Sequence, residues 1–214
     1  MDVRVPMADP VDPPAPGPVA ADAAELVAAL IHSRQTILPK RLGAPGPDVA
    51  QLALILTAAA AAPDHGQLTP WRFVIVPEAE RGRLAEVFAA SLIERDPQAT
   101  AEQVGQAREK AFRAPLLMLA IGQLAGGDPE IDANERLVSA GCAIQNMLLT
   151  AHALGFGAAL TSGKALKSRA LRALFGLGAG EQALCFISVG SVHKHRPARQ
   201  RPGTERYVSV LGAG

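Results

Sequence analysis

Cysteine is scarce in this sequence: the 214-residue chain has only Cys142 and Cys185. Both lie inside apolar runs, with no CxxC spacing and no neighbouring histidine, so we expect buried thiols rather than zinc ligands. Two cysteines cannot form a disulfide framework, which favours a reducing cytosol. The five histidines include no HExxH pair, and we therefore expect no metal site.

Long apolar runs and an excess of either charge are also missing. The alanine-rich run at 53–62 is too short to cross a membrane. Residues 1–18 lack the basic and apolar regions of a secretory signal. A formal net charge of +1 argues against a dedicated nucleic-acid binder, which normally carries a basic face. We expect a cytoplasmic protein that binds neither membranes nor nucleic acids.

Several common catalytic motifs are absent. The glycine-rich segment 176–180 lacks GxGxxG spacing and follows a predicted helix, which favours a helix-to-strand turn. No P-loop is present, and Ser162 is not part of a GxSxG elbow. Hydrolase, P-loop and metalloenzyme hypotheses therefore have little support.

The chain divides into a short arm and one domain. Residues 1–20 are rich in proline, which predicts a disordered arm, and 21–214 are enough for one domain with a real core. Basic residues cluster near the end, at 193–196 and then Arg199 and Arg201. They form either a solvated tail or a local anion site, and composition leaves both open.

Apolar spacing and capping residues predict helices interleaved with short strands. The predicted helices cover 22–34, 48–62, 78–95, 100–113, 129–154 and 164–175. The predicted strands cover 71–76, 116–121, 158–161, 184–189 and 208–211. The helix at 129–154 is almost wholly apolar after Leu137, which predicts burial, partly at a subunit interface. This alternation indicates a mixed, layered fold of helices and strands.

Two segments carry unusual polar groups. Residues 62–73 (APDHGQLTPWRF) form either a ligand-facing loop with rigid ends or a capped turn with a surface histidine. Residues 31–36 (IHSRQT) place a cation, a hydroxyl and an amide at a helix end. These groups suit a phosphate, although an ordinary helix terminus can also carry them.

Together these segments resemble the nitroreductase family, most closely its compact YdjA-type NAD(P)H nitroreductases. The resemblance runs from about Leu26 to Val208. Four landmarks occur in the family's order: Ser33–Thr36, Ala62–Phe73, Phe112–Leu117, and Ser139–Gly157 ending in Ser162-Gly163.

The resemblance implies an α+β fold, a sandwich with a central, mainly antiparallel sheet flanked by helices. It also implies an intertwined homodimer with FMN in two equivalent interface sites. The cofactor-binding residues that it implies are Ser33, Arg34 and Gln35 at the phosphate and ribityl chain, His65 facing the flavin, Leu160, Thr161 and Ser162 from the other subunit, and Arg199 or Arg201 as a further phosphate ligand. The nicotinamide nucleotide is assigned in the same way to Thr150, Ala151, His152, Ala153, Leu154 and Gly155.

Two departures from the family pattern matter. Ser33 stands where the family often has an arginine, so one phosphate cation is missing, and the terminal basic run is a candidate replacement. Leu160 and Thr161 stand where close relatives carry tryptophan and arginine. This side of the pocket is therefore expected to be smaller and less charged.

The implied activity is that of an FMN-dependent oxidoreductase. It would use NAD(P)H to reduce small aromatic acceptors, such as nitroaromatics or quinones, by ping-pong hydride transfer. The flavin carries this chemistry, and no side-chain nucleophile is needed. Two alternatives stay open: an FMN-binding carrier or sensor without turnover, and a flavin enzyme of different chemistry, such as a dehalogenase.

Overall fold

A computed structural model describes residues 21–194 and 200–212. The proline-rich arm at 1–20 and Arg199 lie outside the described residues, so the disorder of the arm and the role of Arg199 stay predictions. Within the described chain, no helix is long and apolar enough to cross a membrane.

The described helices follow the predicted order. Their bounds are α1 Ala21–Ser33, α2 Val49–Ala59, α3 Arg81–Arg95, α4 Ala101–Glu109, α5 Ala133–Ala153 and α6 Arg169–Leu174. Two predicted starts are confirmed by capping boxes, Asp48 with Gln51 and Thr100 with Gln103. The helix predicted at 129–154 begins later, because the Asp132 side chain caps it. Gly155, at φ +86°, follows its end.

Five strands form the sheet: β1 Leu42–Gly43, β2 Trp71–Ile75, β3 Leu116–Gln123, β4 Gly157–Thr161 and β5 Glu181–Val192. Four of them confirm predicted strands, whereas the two-residue β1 is too short to show a periodic pattern. The strand predicted at 208–211 is wrong. These residues pair with no described strand and their apolar side chains are exposed, so the apolar run has no sheet to join.

The central strand is β5. It pairs with β3, which in turn pairs with β2, and it also pairs directly with β4 and with β1. Every strand pair is antiparallel. A parallel bridge from Thr36 to Ala158 ties the segment after α1 to β4. The mainly antiparallel sheet flanked by helices is therefore confirmed.

Alternating side chains fill a core on each face of the sheet. Met118 and Ile187 pack with Met147 on the side of α2 and α5, whereas Leu119 and Phe186 pack on the side of α3 and α6. Burying each side chain of this size stabilises the fold by about 1.5–3 kcal/mol.

The predicted burial of α5 holds for one face only. Its buried stripe includes Ala140, Ala143 and Met147, but Leu137 and Val138 are exposed in this chain. Helix α1 is more exposed still: Leu26 is 71% accessible. Large apolar side chains are thus left uncovered on this side of a single chain.

Candidate functional site

A small cavity opens where α1 and α5 end and β4 begins. Its volume is about 180 Å³. The residues around it come from α1, α5, β4 and β5 and from the segments that join them: Ser33, Arg34, Gln35, Ile37, Leu148, His152, Gly155, Phe156, Gly157, Ala158 and Val192. The structure therefore brings the three residues assigned to the flavin phosphate and ribityl chain together with two of those assigned to the nicotinamide nucleotide.

Cationic and hydroxyl groups meet at this cavity. Ser33 Oγ lies 2.8 Å from His152 Nε2. The Arg201 guanidinium donates a hydrogen bond to the Arg34 carbonyl oxygen at 2.8 Å, which brings the C-terminal segment to the same place. Burial and the charge of Arg201 both lower the pKa of the Arg34 guanidinium. Within the described chain, no carboxylate forms a salt bridge with Arg34.

His152 lies half-buried in the last turn of α5. Burial lowers the pKa of its imidazole, and the charge of Arg34 lowers it further. No spacing rule connects position 33 to position 152, so no sequence pattern predicts the contact between His152 and Ser33. The fold creates it by ending α1 beside the end of α5.

The rest of the segment assigned to the nicotinamide nucleotide has little to offer a ligand. The Thr150 hydroxyl donates a hydrogen bond to the Asn146 carbonyl oxygen at 3.0 Å. Ala151 is fully buried, and Leu154 packs against the core. His152 is thus the one polar side chain of this segment that lines the cavity.

A second predicted site residue, His65, lies in a tight loop between α2 and β2. Gln67 and Thr69 adopt positive φ angles, 54° and 46°, which cost a non-glycine residue about 1–3 kcal/mol each. The loop is closed by the Thr69 amide, which donates to the Asp64 carboxylate at 2.7 Å. Such strain concentrates at functional sites, which favours the ligand-facing interpretation over a plain turn.

Helix α5 supports this loop from its N-terminal end. Glu135 Oε2 lies 2.8 Å from His65 Nδ1, and this hydrogen bond and charge raise the pKa of the exposed His65 imidazole. The buried Arg136 side chain donates to the carbonyls of Asp128 and Ile131. A Cβ atom at Gly66 would lie only 2.8 Å from Ile131 Cδ1, so the neighbouring loop packs closely on this turn.

The two histidines are far apart within one chain. Glu135 and His152 are 17 residues apart on α5, a rise of about 25 Å along an α-helix. A single chain therefore does not bring His65 next to Ser33, Arg34 and Gln35.

Leu160, Thr161 and Ser162 form a third group. They are exposed at the end of β4, whereas the first residues of that strand, Gly157 and Ala158, line the small cavity. In one chain, the described residues assigned to the cofactor thus occupy three separate places.

A larger cavity, of about 320 Å³, lies beside the His65 loop. Residues from α2, the loop and β2 surround it: Leu56, Ala59, Ala60, Asp64, Thr69, Trp71, Arg72 and Phe73. The Arg72 guanidinium, on its rim, donates to Glu181 at 2.9 Å and holds the pKa of that carboxyl down at about 2. The Asp64 carboxylate already accepts a backbone hydrogen bond, so the lining offers mainly apolar contact.

The buried Cys185 adds no reactive centre. Burial raises the pKa of the Cys185 thiol to about 11, so the nucleophilic thiolate is disfavoured. Cys142 is half-buried on α5. Among the residues that the structure describes, no cluster of histidine, cysteine and acidic side chains could hold a metal ion.

Comparisons with known proteins agree with one another. Residues 31–191 match the Nitroreductase family. The Escherichia coli K12 protein named "Putative NAD(P)H nitroreductase YdjA" is 32% identical over 170 residues, which cover 79% of this chain and 88% of the relative.

Solved structures show a similar fold. The nitroreductase-like family protein from Bacillus cereus matches with a TM-score of 0.75 and 18% identity, over 87% of this chain and 96% of the other. The FMN- and NADPH-dependent nitroreductase NfnB from sphigopyxis sp. strain HMH matches with a TM-score of 0.68 and 17% identity, over 86% and 98%.

Proposed function

The chain belongs to the nitroreductase family, and from this premise we propose that it is an FMN-dependent oxidoreductase working as a homodimer. It takes a hydride from NAD(P)H and reduces small aromatic acceptors such as nitroaromatics or quinones. The relatives named for NAD(P)H and the similar fold of an FMN- and NADPH-dependent enzyme support this assignment. The free thiols of Cys142 and Cys185 suit a reducing cytoplasm.

The observation that carries the proposal is the cluster of Ser33, Arg34 and Gln35 at the small cavity, with Arg201 beside it. Guanidinium, hydroxyl and amide donors are the groups that bind a phosphate. The cavity, at about 180 Å³, is smaller than the roughly 300 Å³ at which sites for whole organic ligands begin. The donor set therefore fits the phosphate end of FMN, with the flavin ring lying outside this cavity.

A second copy of the chain would complete the site. His65 and the Ser33 group are separated along α5 by a rise of about 25 Å. We assign them to different copies at each of two equivalent flavin sites, with Leu160, Thr161 and Ser162 from the second copy. The exposed apolar side chains of α1 and α5, including Leu26 and Val138, support an interface on this side of the sheet.

FMN, when bound, would supply hydride acceptance from NAD(P)H and hydride donation to the acceptor, one after the other at the same place. The protein then has to position the substrates and provide a proton. His65, held through Nδ1 by Glu135, keeps Nε2 available to hold that proton. Because Glu135 raises the pKa of His65, the imidazolium persists to higher pH than in a free histidine.

The acceptor pocket is assigned to the larger cavity beside the His65 loop. Its volume of about 320 Å³ falls in the range of small-ligand sites, about 300–1,000 Å³. Trp71 and Phe73 line it and could pack against an aromatic ring. This places a ring-shaped acceptor close to the loop that carries the proton donor.

The test is a visible absorption spectrum of the FMN-reconstituted protein before and after anaerobic NADPH and NADH. Flavin bands that bleach with either nucleotide support the reductase and identify its donor. Parallel initial-rate lines with a nitroaromatic or quinone would then support ping-pong turnover. Bands that persist would leave an FMN carrier or sensor, and a protein that binds no FMN on reconstitution would overturn the proposal.

A further inference from the structure

Building on the proposed function, we propose that His152 and Ser33 complete the phosphate site of FMN together with Arg34. In this assignment, His152 belongs to the flavin phosphate and not to the nicotinamide nucleotide. The imidazole then supplies a further donor at a position where Ser33 offers only a hydroxyl.

The first argument is an uncompensated charge. The Arg34 guanidinium is partly buried, and the neighbouring charge that acts on it is another cation, Arg201. Arg34 makes no salt bridge to a carboxylate in the part of the chain that the structure describes. A partly buried charge normally requires an opposite charge, and an anion bound here would provide it.

The second argument is convergence. Ser33 ends α1, His152 lies in the last turn of α5, and Arg201 approaches from the C-terminal segment. Ser33 Oγ, which also donates a hydrogen bond to the Leu30 carbonyl oxygen at 3.3 Å, lies 2.8 Å from His152 Nε2, so these two groups already share one place. Donors from three directions suit a tetrahedral oxyanion better than a planar ring or an amide.

The third argument is size and composition. The cavity of about 180 Å³ has room for a phosphate-sized group but not for a dinucleotide. Near His152, the Thr150 hydroxyl already donates a hydrogen bond to the helix backbone, and Ala151 is buried. The other side chains of the segment 150–155 therefore offer no polar contact to a nicotinamide or an adenine.

The first measurement uses inorganic phosphate and needs no flavin. The His152 ring resonances of the wild-type protein, identified by their loss in His152→Gln, are followed during a phosphate titration. We expect a saturable shift of these resonances, because phosphate contacts the imidazole. His32, an exposed neighbour on α1 outside the cavity lining, is the internal reference and should not move.

The second measurement compares FMN with riboflavin, which lacks the phosphate, in wild type, His152→Gln, Ser33→Ala and the control His32→Gln. Loss of a charge-assisted hydrogen bond should weaken FMN binding about tenfold in His152→Gln at pH 6.5. Riboflavin binding should change less than twofold in the same variant. The Ser33→Ala variant should weaken FMN to a smaller extent, and His32→Gln should resemble wild type.

The outcomes separate this inference from the proposed function. Equal weakening of FMN and riboflavin, or unchanged FMN binding in a folded His152→Gln protein, would overturn the inference alone. A raised KM for NADPH with an unchanged Kd for FMN in His152→Gln would support the assignment of His152 to the nicotinamide nucleotide instead. If wild type binds neither flavin, the proposed function is wrong, and the phosphate titration still decides whether His152 and Ser33 form an anion site.

Discussion

The two ends of α5 place a histidine in opposite surroundings. At the N-terminal end, the exposed His65 meets the Glu135 carboxylate, and its pKa is raised. At the C-terminal end, the half-buried His152 meets Ser33 and Arg34, and its pKa is lowered.

The helix dipole alone would give the reverse order. The N-terminal end of a helix carries partial positive charge, which disfavours an imidazolium, and the C-terminal end carries partial negative charge, which favours one. Here the Glu135 carboxylate acts against the dipole at one end, and burial together with the Arg34 charge acts against it at the other. One end is therefore suited to holding a proton and the other to receiving an anion, and the predictions below test that division.

The largest effect is expected from disrupting the proposed dimer, in which the two ends of α5 from different copies would meet at one flavin. Leu26→Glu places a carboxylate on the exposed apolar face of α1. An unpaired charge buried in an interface costs several kcal/mol, so the dimer dissociation constant should rise by about a hundredfold or more. Sedimentation velocity over a concentration series measures this, and FMN fluorescence should show a parallel loss of flavin binding.

The matched control is Ile93→Glu, which changes a 47% exposed residue of α3 on the other side of the sheet. It should leave both assembly and FMN binding unchanged. A Leu26→Glu protein that stays dimeric and binds FMN as tightly as wild type would contradict the assignment of the two ends to different copies.

A smaller effect is expected from removing the cation at the C-terminal end of α5. Arg34→Gln should weaken FMN binding about ten- to a hundredfold, because a charged phosphate contact is lost. The pKa of His152 should rise in this variant, because the neighbouring positive charge that lowers it has gone. Isothermal titration with FMN and riboflavin, and NMR titration of the imidazole, measure the two effects.

Arg95→Gln at the exposed end of α3 removes the same charge far from the cavity and is the control. If Arg34→Gln weakens FMN and riboflavin equally, Arg34 does not contact the phosphate. If the pKa of His152 stays the same, burial alone sets it.

At the other end of α5, Glu135→Gln should reduce kcat without weakening FMN binding. A histidine with a raised pKa stays protonated to higher pH and loses its proton as the pH rises through that pKa. Removing Glu135 lowers the pKa of His65, so the alkaline limb of the kcat profile should move to lower pH. Near pH 7.5, kcat should fall by about three- to tenfold, a small part of what a general acid contributes.

The measurement is the pH dependence of quinone reduction with saturating NAD(P)H. Glu130→Gln changes an exposed acid of the preceding loop that makes no side-chain contact with His65, and it should keep the wild-type profile. An unshifted profile in Glu135→Gln would mean that His65 does not provide the proton.

Much of the fold could be predicted from sequence because its signals are local. The capping boxes at Asp48 and Thr100 and the aromatic strand at 71–75 depend on neighbours within a few residues. Strand β1 was missed because two residues carry no period. The strand at 208–211 was wrongly predicted because an apolar run does not specify an edge to pair with.

The site residues show the same division between local and long-range information. The residue types of Ser33–Gln35 suggest a phosphate site, and only the family resemblance favours it over an ordinary helix terminus. The contacts of Ser33 with His152 and of His65 with Glu135 join positions 119 and 70 residues apart. These two contacts arise only when α1 and the His65 loop pack against α5, so no local sequence pattern predicts them.

The smallest predicted effect is a difference between two titrations in the unmodified protein. NMR should give His65 a pKa above 6.5 and His152 a pKa below it, in line with their neighbours. If the helix dipole dominated, the order would be inverted, and the comparison of the two ends would be wrong.

Adding FMN should then change the pKa of His152 more than that of His65. In the described chain, the charged groups at the His152 end are the cations Arg34 and Arg201, so a phosphate dianion there stabilises the imidazolium and raises its pKa. Binding therefore takes up a proton, and the advantage of wild type over His152→Gln should widen as the pH falls from about 8 to 6. The titration of the free FMN phosphate is common to both proteins and cancels in the ratio of their dissociation constants. A ratio of the two dissociation constants that stays constant over this range would show that His152 does not bind the phosphate as an imidazolium.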